Sequence, residues 1–261
     1  MNDQLFTIND FFDVASPYFN GALSFRTPPS AEAAFSSISP VGVPFGDING
    51  QAPEITGRFF GINSVITTDF ETAARFSSLV AGTGSATFNT NGLVLATGAT
   101  SGSNANVTWQ PNPVNIFRGS PVFSTTIVLS GGTVLTGFAG LANYTGAFSA
   151  TAAHIGFKVI GSSLYATQAD GSTESSALLD TVGSGDVYNL VLKVNGTLSV
   201  DYYFRKFYND SNGTYSEIWS KPVTIQTNMP TTIVSKASFM VQNDANSSDL
   251  KITVSGATFA V

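Results

Sequence analysis

Apolar residues recur at every second position over long stretches of this chain. The longest such stretch is 187–207, VYNLVLKVNGTLSVDYYFRKF. Leu190, Leu192 and Val194 alternate there with Val191, Lys193 and Asn195; Leu198, Val200, Tyr202 and Phe204 then alternate with Ser199, Asp201, Tyr203 and Arg205. A period of two buries one face of a β-sheet. Asn195-Gly196 between the halves supplies the positive φ of a tight turn. The segment reads as a long hairpin whose face the rest of the chain covers.

From about residue 63 the same pattern predicts strand after strand. These are Ile66–Phe76, Ser85–Ala96 (split at Asn91-Gly92), Asn106–Gln110, Pro121–Leu129, Val134–Leu141, His154–Ile160 and Ser163–Gln168 about Gly161, Tyr215–Gln226, Ser238–Gln242 and Leu250–Phe259. Gly131-Gly132 and Asp170-Gly171 mark further turns. No segment sustains a 3.6-residue period, and Ala31–Phe35 and Ser175–Leu179 allow a turn or two of helix at most. Short strands at regular spacing predict an all-β antiparallel sandwich or barrel. The absence of an internal repeat argues against a long fibrous shaft.

Residues 1–62 have a different texture. They hold six of the eleven prolines, and six acids against Arg26 and Arg58. Proline interrupts ladders and helices, so an extended arm is expected. Disordered tails are poor in aromatics, whereas this segment carries Phe6, Phe11, Phe12, Tyr18 and Phe19 among others. Those five are the candidate assembly contacts. The segment either wraps its own domain or docks on another subunit.

Composition narrows the function classes. Hydrophobic residues make up 43% of the 261, and charged residues only 11%, against about 25% in ordinary globular domains. A Ser/Thr/Asn/Gly surface packs against neighbours without desolvating ions. The net charge of −6 and the lack of a basic patch argue against nucleic-acid partners. The chain has no cysteine, which removes thiol chemistry and cysteine-based zinc sites. MNDQLFTINDFF has no basic segment followed by an apolar run, so no signal peptide is expected. No apolar run approaches the length of a membrane-spanning helix.

Ser85–Thr97 (SATFNTNGLVLAT), His154–Leu164 (HIGFKVIGSSL) and Val187–Arg205 together resemble the concanavalin A-like, or laminin-G-like, jelly roll. The resemblance covers about residues 63–261. It implies two packed antiparallel sheets, with the Val194-Asn195-Gly196 hairpin crossing the concave one and Leu250–Phe259 pairing near Ile66–Phe76. With the N-terminal arm, the missing signal and the missing cysteines, the chain is similar to tailed-phage structural proteins, such as head decoration (cement) proteins and fibres. That similarity implies a virion location, assembly in the host cytoplasm, virion partners and a homotrimer.

Glycanases of this fold carry a Glu-x-Asp-x-x-Glu pattern on a concave strand, and no such pattern occurs here. The nearest is Asp69-x-Glu71, read as a solvated pair. His154 is the only histidine, and without a Gly-x-Ser-x-Gly elbow it reads as a packed strand residue. Lectins of the fold often hold calcium; Asp170, Glu174, Asp180 and Asp186 place oxygens in loops, as hard cations prefer, yet Asp-Gly is also a standard turn. No other cofactor is expected. Sugar binding needs an exposed aromatic with polar neighbours, for which Trp109, Tyr165 and Trp219 are the candidates. The readings that remain are a non-enzymatic virion structural protein, a carbohydrate-binding module and a glycanase.

Overall fold

The computed structural model describes residues 65–68, 70, 76–90, 92–109, 121–130, 135–142, 144, 146–209, 215–230, 236–244, 249 and 251–260. These lie in the unit Val65–Val261. The expectations for residues 1–62, including Phe6, Phe11, Phe12, Tyr18 and Phe19, fall outside the described residues, as do those for Asp69 and Glu71.

All regular structure among the described residues is β-strand: β1 (Val65–Thr68), β2 (Phe76–Ala81), β3 (Ser85–Asn89), β4 (Gly92–Ala96), β5 (Asn104–Trp109), β6 (Val122–Ser130), β7 (Leu135–Ala142), β8 (His154–Ile160), β9 (Ser163–Ala169), β10 (Glu174–Thr181), β11 (Val187–Asn195), β12 (Ser199–Asn209), β13 (Tyr215–Trp219), β14 (Val223–Ile225), β15 (Ala237–Asn243) and β16 (Lys251–Ala260). Two antiparallel sheets form a sandwich. One runs β13-β12-β11-β6-β16-β4-β3, with β1 on β16 and β14 on β12; the other runs β10-β9-β8-β7-β15-β5-β2.

The core is what the alternation predicts. Leu190, Leu192 and Val194 of β11 and Val200, Tyr202 and Phe204 of β12 face inward from the nine-stranded sheet. Ile155, Phe157 and Val159 of β8 and Phe239 and Val241 of β15 meet them from the other sheet. Each such side chain withdrawn from water contributes roughly 1.5–3 kcal/mol. One polar tie crosses the layer: the Tyr202 hydroxyl donates to the Thr167 carbonyl at 2.9 Å and lies 3.1 Å from Gln168 Oε1.

Several expectations are corrected. The first strand is not continuous from Ile66 to Phe76. β1 pairs with β16, as expected for the terminal strands, with Ile66 opposite Phe259, but β2 belongs to the other sheet. Buried Phe70, at φ 63°, lies between them. The central hairpin closes through Gly196, Thr197 and Leu198 rather than a two-residue turn, because Asn195 pairs with Ser199. Leu198 is therefore on the turn and 75% exposed, not in the core. Tyr215–Gln226 is two strands, β13 and β14, laid on different parts of β12. Residues 175–179, allowed a helical turn, are strand in β10.

Candidate functional site

Register divides the seven-stranded sheet into two faces. The residues on β8 that do not face the core are His154, Gly156, Lys158 and Ile160; on β7 they include Thr136, Phe138 and Gly140; on β9, Tyr165 and Thr167; on β10, Glu174. This outer face carries a polar cluster. Lys158 forms an ion pair with Glu174 Oε2, and both side chains are largely buried. The Thr167 hydroxyl donates to the same oxygen at 2.6 Å. His154 Nε2 lies 3.0 Å from Thr167 Oγ1, and its Nδ1 lies 2.7 Å from the Ala152 carbonyl.

A carbonyl only accepts, so His154 Nδ1 carries a proton. With a neutral imidazole and an ionised Glu174, the single Thr167 hydroxyl proton then faces two acceptors. One more proton would satisfy the whole chain. Burial opposes it and holds His154 below the usual histidine range, against the Ala152 bond and the charge of Glu174, which act the other way.

The segment before β8 lies over this face. Tyr144 and Phe148 pack on Phe138 and His154, with ring centroids 5.1–6.0 Å apart. The Phe148 amide donates to Gln242 Oε1 at 3.2 Å. Burial, then the charge of Glu174, raises the Tyr144 phenol above its ordinary range. The residues are thus engaged with one another.

A second cluster joins the sheets at one end. Lys206 Nζ lies 2.9 Å from Asp186 Oδ2 and 3.1 Å from Asp180 Oδ2. It also donates to the Thr181 carbonyl, and Tyr188 donates to Asp180 at 2.8 Å. Burial pulls Lys206 down, but the bonds and charges of the two aspartates outweigh it and hold it above its ordinary range. These are two of the acids that suggested calcium; Asp180, like Glu174, lies in strand β10 rather than in a loop, and the Lys206 ammonium stands between Asp180 and Asp186. Asp170 Oδ1 instead accepts from the Ser172 and Thr173 amides, closing its own turn, while Glu174 faces Lys158. Among the described residues no group of three or more potential ligands gathers.

The third feature is on the outer face of the nine-stranded sheet. Trp219 pairs with Arg205 and Glu217 with Phe207, which puts all four on one side of β12 and β13. The Arg205 guanidinium lies 4.5 Å from the Phe207 ring centre and 4.6 Å from that of Trp219. Its Nε donates to Glu217 Oε2 at 2.6 Å. Tyr203 and Asp201 continue the strip along β12, with Thr224 and Asn195 bonded to Asp201 at 2.6 and 2.8 Å. Trp219 is 49% exposed.

The three aromatic candidates therefore do not converge. Trp109 is 1% exposed and faces the core, which leaves it no surface for a sugar; its indole Nε1 has no hydrogen-bond partner among the described residues. Tyr165 is half-buried on the outer face of the seven-stranded sheet, with Lys158 Nζ 5.8 Å from its ring. Trp219 is on the opposite side of the sandwich. Sequence reasoning named Trp219 but missed its partners Arg205, Phe207 and Glu217, because their meeting depends on how β13 pairs with β12.

No protein-family model matches the chain, and no curated protein matches it in sequence. Solved structures match it in fold. It is similar to Bacillus licheniformis β-glucanase, with a TM-score of 0.52 and 8% identity over 76% of this chain and 98% of the other. It is also similar to a glycosidic hydrolase in its native form, with a TM-score of 0.51 and 11% identity over 76% and 95%. Arcelin-5, a lectin-like defense protein from Phaseolus vulgaris, aligns with a TM-score of 0.49 and 9% identity over 76% and 97%. The fold is the concanavalin A-like jelly roll.

Proposed function

We propose that the domain Val65–Val261 is a non-enzymatic, lectin-like module that binds carbohydrate through the strip centred on Trp219. The observation that supports this most is the half-exposed Trp219 indole with the Arg205 guanidinium over its ring and Glu217 bonded to that guanidinium, Tyr203 lying further along the same face of β12. An aromatic face takes the apolar face of a sugar ring, and polar neighbours take its hydroxyls.

The carboxylates support a non-enzymatic reading. Glycoside hydrolysis needs two carboxyl groups within about 5–9.5 Å, and Asp180 and Asp186, which come that close, are both tied to the Lys206 ammonium between them. On the outer face of the seven-stranded sheet Glu174 is held by Lys158. Asp244, next to β15, is four strands away, about 19 Å at ~4.8 Å per strand. For the whole chain the proposed role is a virion structural protein, a capsid decoration or fibre component, that displays this module. Its support is the 11% charged composition and the aromatic, proline-rich segment 1–62.

Glycan-array binding by the full chain tests the module. Trp219→Ala and Arg205→Ala are expected to abolish a signal that Tyr165→Ala leaves intact. A wild-type chain that binds no glycan, or a Trp219→Ala variant that binds like wild type, overturns the assignment. For the virion role, co-purification with capsid or tail proteins is expected; a chain that associates with neither overturns it.

A further inference from the structure

Burying an ion pair has a cost, because each charge gives up its hydration and only the partner's field replaces it. Lys158 and Glu174 form such a pair on the outer face of the seven-stranded sheet, with side chains 8% and 13% exposed. Lys158 Nζ is in contact with Glu174 Oε2, and the Phe148 and Tyr165 ring centres lie 5.7 and 5.8 Å from it. The nitrogen thus touches an oxygen bonded to Cδ, the carbon of the carboxyl group.

This pair stands apart from the other lysine–carboxylate contacts of the described residues. Lys251 and Asp249 are close to half exposed. Lys206 is shared by Asp180 and Asp186, so a reaction with either would strand the other in a largely buried place without its cation. Lys158 and Glu174 match one to one, and a reaction between them leaves no charge behind.

Their neighbours are short of a proton. The Thr167 hydroxyl donates to Glu174 Oε2 at 2.6 Å and also faces His154 Nε2 at 3.0 Å, while His154 Nδ1 is engaged with the Ala152 carbonyl. One hydroxyl proton serves two acceptors, and a buried acceptor left unmet is destabilising. Removing Oε2 from the site ends the shortage, because the Thr167 proton then goes to His154.

We propose that Lys158 and Glu174 condense into a side-chain amide, a covalent cross-link that ties β8 to β10 across β9. Nζ attacks Cδ, and the Cδ–Oε2 bond breaks. Of the three protons on the ammonium, one stays on the amide nitrogen and two leave with Oε2 as water. No other reactant is consumed, and the net charge of the chain stays at −6. Contact between the reacting groups makes the step unimolecular, and Thr167 steadies the oxygen that departs. Tyr144 and Phe148, packed over this face, hold back the water that would reverse it. The ion pair is the state before reaction. The inference does not depend on glycan binding.

Mass spectrometry of the denatured full chain tests it. Wild type is expected to be lighter than its sequence by one water. Trypsin cuts after Arg118, Lys158 and Lys193 in this region. The cross-linked chain is expected to give one fragment, 119–193, lacking a water, in place of 119–158 and 159–193. Lys158→Met and Glu174→Ala are each expected to show the full mass of their own sequences. A wild type at full sequence mass overturns the inference. So does a water that is also lost in both variants, which would place the dehydration elsewhere, such as the Asp170-Gly171 turn. Should the variants fail to fold, the wild-type digest decides, and separate 119–158 and 159–193 fragments overturn the inference.

Discussion

Gly140 and Gly156 face each other across the β7–β8 ladder, and neither has room for a methyl group. A Cβ on Gly140 would lie 2.4 Å from both the Gly156 Cα and the Ile155 carbonyl oxygen. A Cβ on Gly156 would lie 2.7 Å from Cζ of Phe138. The pair leaves a bare patch beside that ring on the outer face. Overpacking of this kind costs about 1–3 kcal/mol. Gly140→Ala, which meets backbone, is expected to reach the upper part of that range in urea denaturation. An unchanged midpoint would show that the ladder yields more easily than its geometry indicates.

Lys206→Met removes the cation between Asp180 and Asp186 and leaves two carboxylates facing each other in a largely buried place. Breaking one side of a buried pair costs about 3–5 kcal/mol, and the partial exposure of Asp180 puts the expected loss near the bottom of that range. Adding Asp180→Asn and Asp186→Asn should restore part of it. Thermal melting of the single and triple variants measures both effects. Equal losses would mean that the clasp acts through packing alone.

His154 makes stability depend on pH in a predictable direction. Its folded-state value lies below the ordinary 6.5, so the unfolded chain takes up the proton first. The stabilisation is complete above about pH 6.5. It is lost as pH falls from there towards the folded-state value. Glu174 and Lys158 are the charged groups facing the ring, the first favouring its proton and the second opposing it. Melting temperature is expected to drop through that window in wild type and to be flatter in His154→Gln. As the chain has no other histidine, a slope that survives in the variant would have to come from elsewhere.

Tyr202→Phe deletes the hydroxyl that ties one sheet to the Thr167 carbonyl of the other. The carbonyl and Gln168 Oε1 would lose a buried donor, which costs about 1–3 kcal/mol. Denaturant unfolding should show that loss with little change in slope, since the surface exposed on unfolding is nearly the same.

The alternation that reveals strands also reveals which face is inward, and for Leu190, Leu192, Val194, Val200, Tyr202 and Phe204 that was enough to place the core. Leu198 misled because a period continues on paper through a turn that interrupts it in space. Ile66–Phe76 misled similarly: apolar and polar residues follow one another without a break, and nothing in that pattern announces that the chain changes sheets around Phe70. The clusters were harder still. Lys158 and Glu174 are sixteen residues apart and look like two ordinary solvated charges. They meet because β8, β9 and β10 are adjacent and in register, with Thr167 between them. Trp109 and Trp219 are equivalent as letters. Only the register of their strands sends one indole inward and the other out.

β16 has neighbours drawn from the whole length of the domain: β1 and β4 from its beginning, β6 from its middle. Before it is added, the nine-stranded sheet exists only as separate pieces, with β3-β4 on one side and β6-β11-β12 on the other and no ladder between them. A ribosome making this domain therefore holds an open sandwich until residues 251–260 have emerged. Every earlier strand of the sheet waits on that last one for its partners across the gap.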